Sequence, residues 1–387
     1  MTATGEADQG GLEAVATVDR IPSLTGVRAL AALLVVATHA AYTTGKYTHG
    51  FVGVVYSRME IGVPIFFALS GYLLFGPWVR AAAGGGASPS LGRYAWHRVR
   101  RIMPAYVVTV LAAYLIYHFR DGGPNPGHSL WGLFRNLTLT QIYTDNYAFA
   151  LLHQGLTQMW SLAVEVAFYV ALPPIAYLLV TLLCRGRWRP GLLLAGLGGL
   201  ALISPAWMVL VHTTDVLPDG ARLWLPGYLV WFLGGMMLTV LAAMGVRCYG
   251  FLAVPLALVC FLIVSTPIAG EPTTSPSGLA QALVKMSFYA VIATLLIAPL
   301  ALAGSGAARR SARGGWYARL MASRPMVWLG EISYEIFLVH LILMEIAMVE
   351  VLHWRVYTGS MLALFAVTMA LTIPVAWVLH RFTRVRS

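Results

Sequence analysis

The segment IPSLTGVRALAALLVVATHA, residues 21–40, is apolar over most of its length but contains Arg28 and His39. About 20 mainly apolar residues are enough for a helix to cross the hydrocarbon core of a bilayer. The two polar residues are eleven positions apart, which is three helical turns and about 20°. They therefore share one face, separated by roughly 16 Å along the axis. The segment predicts a transmembrane helix with a cation near one end and an imidazole at depth, although a snorkelling arginine and a structural histidine would show the same pattern.

Segments of this kind make up most of the chain. Of its 387 residues, 59% are hydrophobic and only 11% are charged, whereas soluble domains carry about 25% charged residues. Lipid must therefore be the solvent for most of the apolar surface. We predict an all-α membrane protein, a bundle of about ten transmembrane helices. The ten predicted spans are 27–44, 60–79, 102–119, 159–183, 191–212, 223–244, 250–269, 279–303, 326–351 and 359–380.

The basic residues predict the orientation of these helices. They lie in short clusters between the apolar segments, and the net charge of the chain is +11. With the N-terminus in the cytosol, 18 of them fall in inner segments and 6 in outer loops, as the positive-inside rule requires. Both termini are then cytosolic, residues 1–20 form a disordered tail, and residues 21–387 form a single domain of a multi-pass cell-membrane protein. This clustering does not make a duplex-binding face, so we expect the lipid bilayer and no nucleic acid as a partner.

Ionisable side chains inside a membrane are costly, and each one is a candidate functional residue. Counting along the predicted helices at about 1.5 Å per residue places His39, Glu165 and His340 in one layer of the outer half of the bilayer. A purely structural polar network is the alternative, and we interpret Glu335 and Glu345 as structural. The polar residues predicted to support this layer are Ser70, Tyr72, Ser161, Tyr169, Tyr334 and His340.

Three arginines in four residues, Arg98, Arg100 and Arg101, lie at the start of the third predicted helix. Arg98 and Arg101 share a helix face, where guanidinium forks and a helix N-terminus favour an anion. The three phosphates of coenzyme A would suit such a site, and ordinary positive-inside charge is the alternative. The three cysteines show no metal-binding spacing. We therefore predict no metal site and no bound cofactor.

Five motifs in chain order carry a resemblance to a known family. They are IPSLTGVRALAALLVVATHA (21–40), VPIFFALSGYLL (63–74), RVRRIMPAY (98–106), MWSLAVEVAFY (159–169) and ISYEIFLVH (332–340). Together they resemble the acyltransferase-3 family of integral-membrane O-acyltransferases. The chain departs from the family pattern at Phe337, where a tyrosine is more usual, and its last helix lacks an acidic residue often found there.

The resemblance implies that acyl-CoA is the co-substrate and that a small-molecule hydroxyl is the acceptor. It implies that His39 and Glu165 are catalytic, with His39 as the base that takes the hydroxyl proton. It further implies that Arg28, Arg98 and Arg101 bind acyl-CoA.

Within this family, the chain most resembles the macrolide 3-O-acyltransferases of antibiotic biosynthesis, of the midecamycin and carbomycin type. That resemblance implies transfer of an acetyl- or propionyl-type group to the 3-hydroxyl of a macrolide. Two alternatives stay open: an acyltransferase acting on a cell-surface sugar or glycolipid, and a proton-coupled transporter that uses the same membrane-embedded histidines and glutamates. The sequence shows no inverted repeat of the kind that many transporters have.

Overall fold

The computed structural model describes residues 21–84, 86–120, 124–272, 278–303 and 315–384, and all regular structure in these ranges is helical. The predicted tail, residues 1–20, lies outside the described residues. The helices are α1 (Pro22–Thr43), α2 (Gly50–Arg58), α3 (Gly62–Gly84), α4 (Leu91–His118), α5 (Leu130–Leu137), α6 (Tyr147–Ala150), α7 (Met159–Ala176), α8 (Pro190–Ala201), α9 (Ile203–Thr213), α10 (Leu225–Ala243), α11 (Gly250–Val264), α12 (Leu279–Ala301), α13 (Arg324–Glu331), α14 (Ser333–Ile346) and α15 (Met361–Thr383).

The fold class predicted from the sequence is confirmed. Within the described ranges, eight helices are long and apolar enough to cross a membrane, and the pair α13 and α14 makes a ninth if its 71° bend lies within one span. The seventh predicted span, 250–269, forms only the 15-residue helix α11. At about 1.5 Å per residue this helix is roughly 22 Å long, which is short of a hydrocarbon core of about 30 Å. The chain is a multi-pass membrane protein, and its orientation stays a prediction.

The centre of the bundle is built on a close contact between α3 and α10. A Cβ atom added to Gly71 would lie 2.0 Å from the backbone oxygen of Phe232, and one added to Gly235 would lie 1.8 Å from that of Ala68. Small residues at such a crossing let two helix backbones approach closely, which is how helices often associate in membranes. This contact fixes the polar face of α3, which carries Ser70, against the rest of the bundle.

The helix α7 begins inside the bundle rather than at its surface. Gln158, immediately before it, is 2% exposed and donates a hydrogen bond of 2.8 Å from its Nε2 to the backbone oxygen of Leu338 in α14. Met159, the first residue of α7, is completely buried. The start of α7 is thus at the level of His340, two residues beyond Leu338 in α14. Residues further along α7 therefore lie deeper than a count from the membrane surface suggests.

Candidate active site

Arg28, Arg98 and Arg101, the arginines predicted to bind acyl-CoA, line one pocket. The space between its lining residues is about 840 Å³, a figure that includes open solvent at the mouth. We call it the arginine pocket, and its polar lining consists of Arg28, Ser70, Arg98, Arg101, Ser161, Glu165, Tyr169, Ser333 and Tyr334. Four helices that are distant in sequence, α1, α3, α4 and α7, and the start of α14 contribute these residues. The prediction that Arg28, Arg98 and Arg101 lie together agrees with this geometry.

Glu165 belongs to the arginine pocket. Its Oε1 accepts a hydrogen bond of 2.6 Å from the hydroxyl of Tyr169 and another from the hydroxyl of Ser70. The carboxylate is an electrostatic neighbour of Arg28 and Arg98. One carboxylate among three guanidinium groups leaves the pocket with a net positive charge.

The arginine pocket also contains an unused hydrogen-bond donor. The Nε atom of Arg98 is buried and has no hydrogen-bond partner within the described residues. A buried donor left without a partner costs free energy, so its presence here suits a ligand that brings an acceptor oxygen. With the net positive charge, this makes the pocket suitable for an anionic ligand such as a phosphate.

His39 and His340 form a direct pair. Nδ1 of His39 lies 2.8 Å from the backbone oxygen of Val35 and 3.2 Å from Nε2 of His340. Nδ1 of His340 lies 2.7 Å from the backbone oxygen of Phe337. Because a carbonyl oxygen can only accept, both Nδ1 atoms must carry their protons, and Nε2 of His340 accepts from His39. In the neutral state this assignment leaves the lone pair of His39 Nε2 available to take a proton.

The prediction that His39, Glu165 and His340 lie in one layer is wrong for Glu165. The two histidines meet, but Glu165 lies in the arginine pocket and not beside them. The error arose because α7 begins at the depth of His340, so that Glu165, six residues on, is about 9 Å deeper. The rings of Phe66 and Phe337 line the pocket. The ring of Phe337 also packs near that of His340, with 6.0 Å between the ring centroids.

The supporting residues divide between the two places. The Tyr334 hydroxyl lines the pocket and donates to the backbone oxygen of Ile102 at 3.0 Å. Ser161 lines it too, with its hydroxyl donating to the backbone oxygen of Gln158. Tyr72 is not part of the pocket lining: its hydroxyl lies 3.5 Å from the backbone oxygen of Ala301 in α12. The prediction placed Tyr72 and Ser70 at one depth, but residues two positions apart on a helix point about 200° apart, so the two side chains lie on different faces of α3.

Sequence reasoning missed one ionic cluster. Glu60, in the short 3₁₀ turn Met59–Ile61, forms an ion pair with Lys285 and accepts a hydrogen bond of 2.9 Å from the Tyr289 hydroxyl. Arg58, which was counted as an outer-loop charge, is 2% exposed and bonds the backbone oxygen of Val264 at 3.0 Å. One signal was present in the sequence: Lys285 is one of only two lysines among 26 basic residues.

The fold, the arginine pocket and the histidine pair define a class of protein. It is an integral-membrane protein with a cationic pocket at one depth and a pair of histidines at another. A family model described as "Acyltransferase domain", Acyl_transf_3, matches residues 21–381. The chain belongs to this family of membrane acyltransferases. The family match leaves the transporter alternative without support.

Two curated proteins illustrate the similarity. The chain is 27% identical to the peptidoglycan O-acetyltransferase OatA of Listeria monocytogenes, over 83% of this chain and 49% of that protein. It is 33% identical to the acyltransferase MdmB of Streptomyces mycarofaciens, over 40% of this chain and 38% of that protein. The matches thus span about half or less of these relatives. No solved structure matches the chain.

Proposed function

We propose that this protein transfers an acyl group from acyl-CoA to a hydroxyl of a small-molecule acceptor, with His39 as the general base. One observation supports the proposal above all others: within the described residues, Nε2 of His39 has no hydrogen-bond partner, and His39 lies on the same face of α1 as Arg28 of the arginine pocket. Arg28 and His39 are eleven residues apart on α1, an offset of roughly 16 Å. A pantetheine arm of roughly 15–20 Å would carry a thioester over that distance.

The donor would bind by its phosphates in the arginine pocket. Arg98 and Arg101 supply guanidinium forks, and the partnerless Nε of Arg98 supplies a further donor. Glu165 would act in this pocket by holding Tyr169 and Ser70 and setting the local charge, and it does not touch the histidines. The acyl end would then extend past Phe66 and Phe337 toward His39.

The chemical step needs only the imidazole and the two substrates. His39 Nε2 takes the proton of the acceptor hydroxyl while the hydroxyl oxygen attacks the thioester carbonyl carbon. The carbon–sulfur bond breaks, the ester carbon–oxygen bond forms, and the proton passes from Nε2 to the departing sulfur to give free coenzyme A. General-base catalysis of this kind contributes about 10²–10⁴-fold in rate.

For the acceptor we propose the 3-hydroxyl of a macrolide, modified in the cell membrane. This rests on the resemblance of the chain to the macrolide 3-O-acyltransferases and on its similarity to MdmB over part of its length. OatA is named for acetylation of peptidoglycan, and a cell-surface sugar is therefore the second candidate acceptor.

The test is a transfer assay on membranes that contain the protein. We would supply acetyl-CoA labelled in its acetyl group, together with a 3-hydroxy macrolide or a short peptidoglycan fragment, and compare the wild type with His39→Ala. We expect ester formation on the macrolide and a loss of about 10²–10⁴-fold in the variant. Full transfer by His39→Ala would refute the assignment of His39 as the base. A wild type that transfers no acyl group from any acyl-CoA would refute acyl-CoA as the donor.

A further inference from the structure

The cluster around Glu60 joins the start of α3 to α12. Glu60 precedes α3, whereas Lys285 and Tyr289 lie one turn apart on α12. Both the Lys285 ammonium and the Tyr289 hydroxyl bind the same carboxylate oxygen, Oε1. Within the described residues, no partner occupies Oε2. We call Glu60 and Lys285 the outer pair.

The outer pair lies close to the histidine that we propose as the base. A Cβ atom added to Gly62 would lie 2.3 Å from the backbone oxygen of Ala31, so the start of α3 packs directly against α1. The hydroxyl of Thr38, the residue before His39, donates to the backbone oxygen of Ser57 at 2.9 Å. These contacts hold Glu60 beside the outer turns of α1, and its carboxylate is an electrostatic neighbour of His39.

The outer pair is partly open, unlike the rest of its cluster. The side chains of Glu60 and Lys285 are both 30% exposed, whereas Arg58 is 2% exposed and Tyr289 is 1% exposed. Arg58 uses its guanidinium on the backbone oxygens of Val264, Ala269 and Gly270, so its charge is already engaged. A ligand can therefore reach the carboxylate and the ammonium but not the third charge.

Two partly exposed tyrosines lie near the outer pair, and two buried aromatic rings pack behind them. Tyr42 and Tyr228 are half-buried and are electrostatic neighbours of Glu60. The Tyr228 ring contacts that of Trp231 at 4.9 Å, and the Trp231 ring contacts that of Tyr289 at 6.0 Å. Aromatic faces bind the apolar face of a ring-shaped ligand, while hydroxyls at its edge need hydrogen-bond partners.

The charges decide the chemical class of ligand. Glu60 and Lys285 neutralise each other, so neither a free cation nor a free anion finds an unpaired opposite charge there. The pair offers one free acceptor, Oε2, and the remaining protons of the ammonium as donors. Hydroxyl groups both donate and accept, so adjacent hydroxyls on one ring complement such a pair.

We propose that the outer pair binds the hydroxyl-bearing ring of the acceptor, a sugar or a similarly polyhydroxylated ring, and presents one hydroxyl to His39. The proposal rests on the transferase function above and assigns the acceptor side of the same reaction. Donor and acceptor would then approach the imidazole from opposite directions, with the arginine pocket on one side and the outer pair on the other.

The test measures binding of two probes to the purified protein in lipid nanodiscs. The probes are hexyl β-D-glucopyranoside and 1-hexanol, which share an alkyl chain and differ in the polyhydroxylated ring. Thermal unfolding as a function of probe concentration gives an apparent affinity for each. Coenzyme A is titrated in parallel as a probe of the arginine pocket.

The variants are Glu60→Gln, Lys285→Met and the conservative Lys285→Arg. The matched control is Glu350→Gln, which breaks an ion pair with Arg120 whose N–O distance is 3.0 Å. We expect the wild type to prefer the glucoside over hexanol, and Glu60→Gln and Lys285→Met each to weaken glucoside binding by about tenfold or more. Lys285→Arg should retain most of the preference. Hexanol binding, the coenzyme A response and the control should not change.

Three results would overturn the proposal. The first is a wild type that does not prefer the glucoside over hexanol, and the second is that Glu60→Gln and Lys285→Met keep this preference. The third is that these variants lose the coenzyme A response together with glucoside binding, because the role of the outer pair would then be structural. The two proposals fail separately. If the glucoside binds at the outer pair but acyl-CoA neither binds nor donates, the transferase function is wrong while the hydroxyl site stands. If acyl transfer occurs and the outer-pair variants leave it and glucoside binding intact, only the hydroxyl site is wrong.

Discussion

Replacing His340 separates the roles of the two histidines. His340 is completely buried, and its Nε2 accepts from Nδ1–H of His39 at 3.2 Å. In His340→Phe that acceptor disappears, but Nδ1–H of His39 keeps its bond of 2.8 Å to the backbone oxygen of Val35. The tautomer of His39 is therefore preserved, and His39 loses one neutral hydrogen bond, worth about 0.5–1.5 kcal/mol. The bond of 2.7 Å from His340 Nδ1 to the backbone oxygen of Phe337 is lost as well, but it does not involve His39. We expect kcat/KM to fall by about 2- to 13-fold.

The variant His340→Gln provides the matched comparison, because its amide oxygen can accept from His39 in place of the imidazole nitrogen. We expect its activity to lie between that of His340→Phe and the wild type. The assay is transfer of labelled acetyl from acetyl-CoA, with thermal unfolding of each variant measured in parallel to exclude loss of fold. His39→Ala should lose about 10²–10⁴-fold under the same conditions. If His340→Phe loses as much as His39→Ala while staying folded, our assignment of the base is wrong.

Three further predictions address the donor site, the packing and the outer loop. Arg98→Ala should raise the KM for acyl-CoA by about tenfold or more with little change in kcat. Arg100→Ala should not raise it, because the Arg100 side chain is exposed and lies over a tryptophan ring. Equal effects of the two variants in steady-state kinetics would contradict the role of the arginine pocket in binding the donor. Gly235→Ala places a Cβ 1.8 Å from a backbone oxygen of α3 and should destabilise the fold by several kcal/mol, whereas Gly198→Ala meets nothing within 4 Å and should be neutral or stabilising; thermal unfolding of both variants checks this. Burial, with a smaller contribution from a neighbouring histidine, lowers the pKa of His153 to about 4. As the pH drops from about 6.5 to about 4, the unfolded chain takes up a proton at His153 that the folded protein does not, so the free energy of unfolding should fall. His153→Gln should flatten that part of the curve of stability against pH.

The sequence predicted the elements that depend on composition and periodicity. Apolar length located the eight helices that are long enough to span, because lipid leaves a chain few alternatives to helical structure, but it also predicted a span at 250–269 that forms only a 15-residue helix. Helical periodicity and arginine density predicted an anion site at Arg98 and Arg101, and the resemblance to the family added Arg28; all three line the arginine pocket. Counting residues along the predicted helices placed His39 and His340 at one depth, where the structure brings them into contact, although the second helix is bent by 71° before His340.

Depth could not be predicted where a helix starts inside the bundle. The level of Glu165 depends on Gln158, whose amide bonds the backbone of α14, and no local pattern in the sequence announces that contact. The outer pair was missed for a related reason. Glu60 lies in a short turn at the predicted end of a span, where a charge is ordinary, and only the tertiary contact with Lys285 shows that it faces inward.

The arrangement of the charges also favours group transfer over proton movement. A proton relay requires titratable groups in hydrogen-bond sequence from one side of the membrane to the other. Within the described residues, the hydrogen bonds of Glu165 go to hydroxyls of the arginine pocket. The ring of Phe337 contacts that of Phe66, which lines this pocket, and that of His340. An acyl transferase needs no continuity of that kind, since its two substrates have only to meet at one imidazole. Phe66 and Phe337 give the arginine pocket apolar walls, which would suit the flexible pantetheine arm of the donor that we propose.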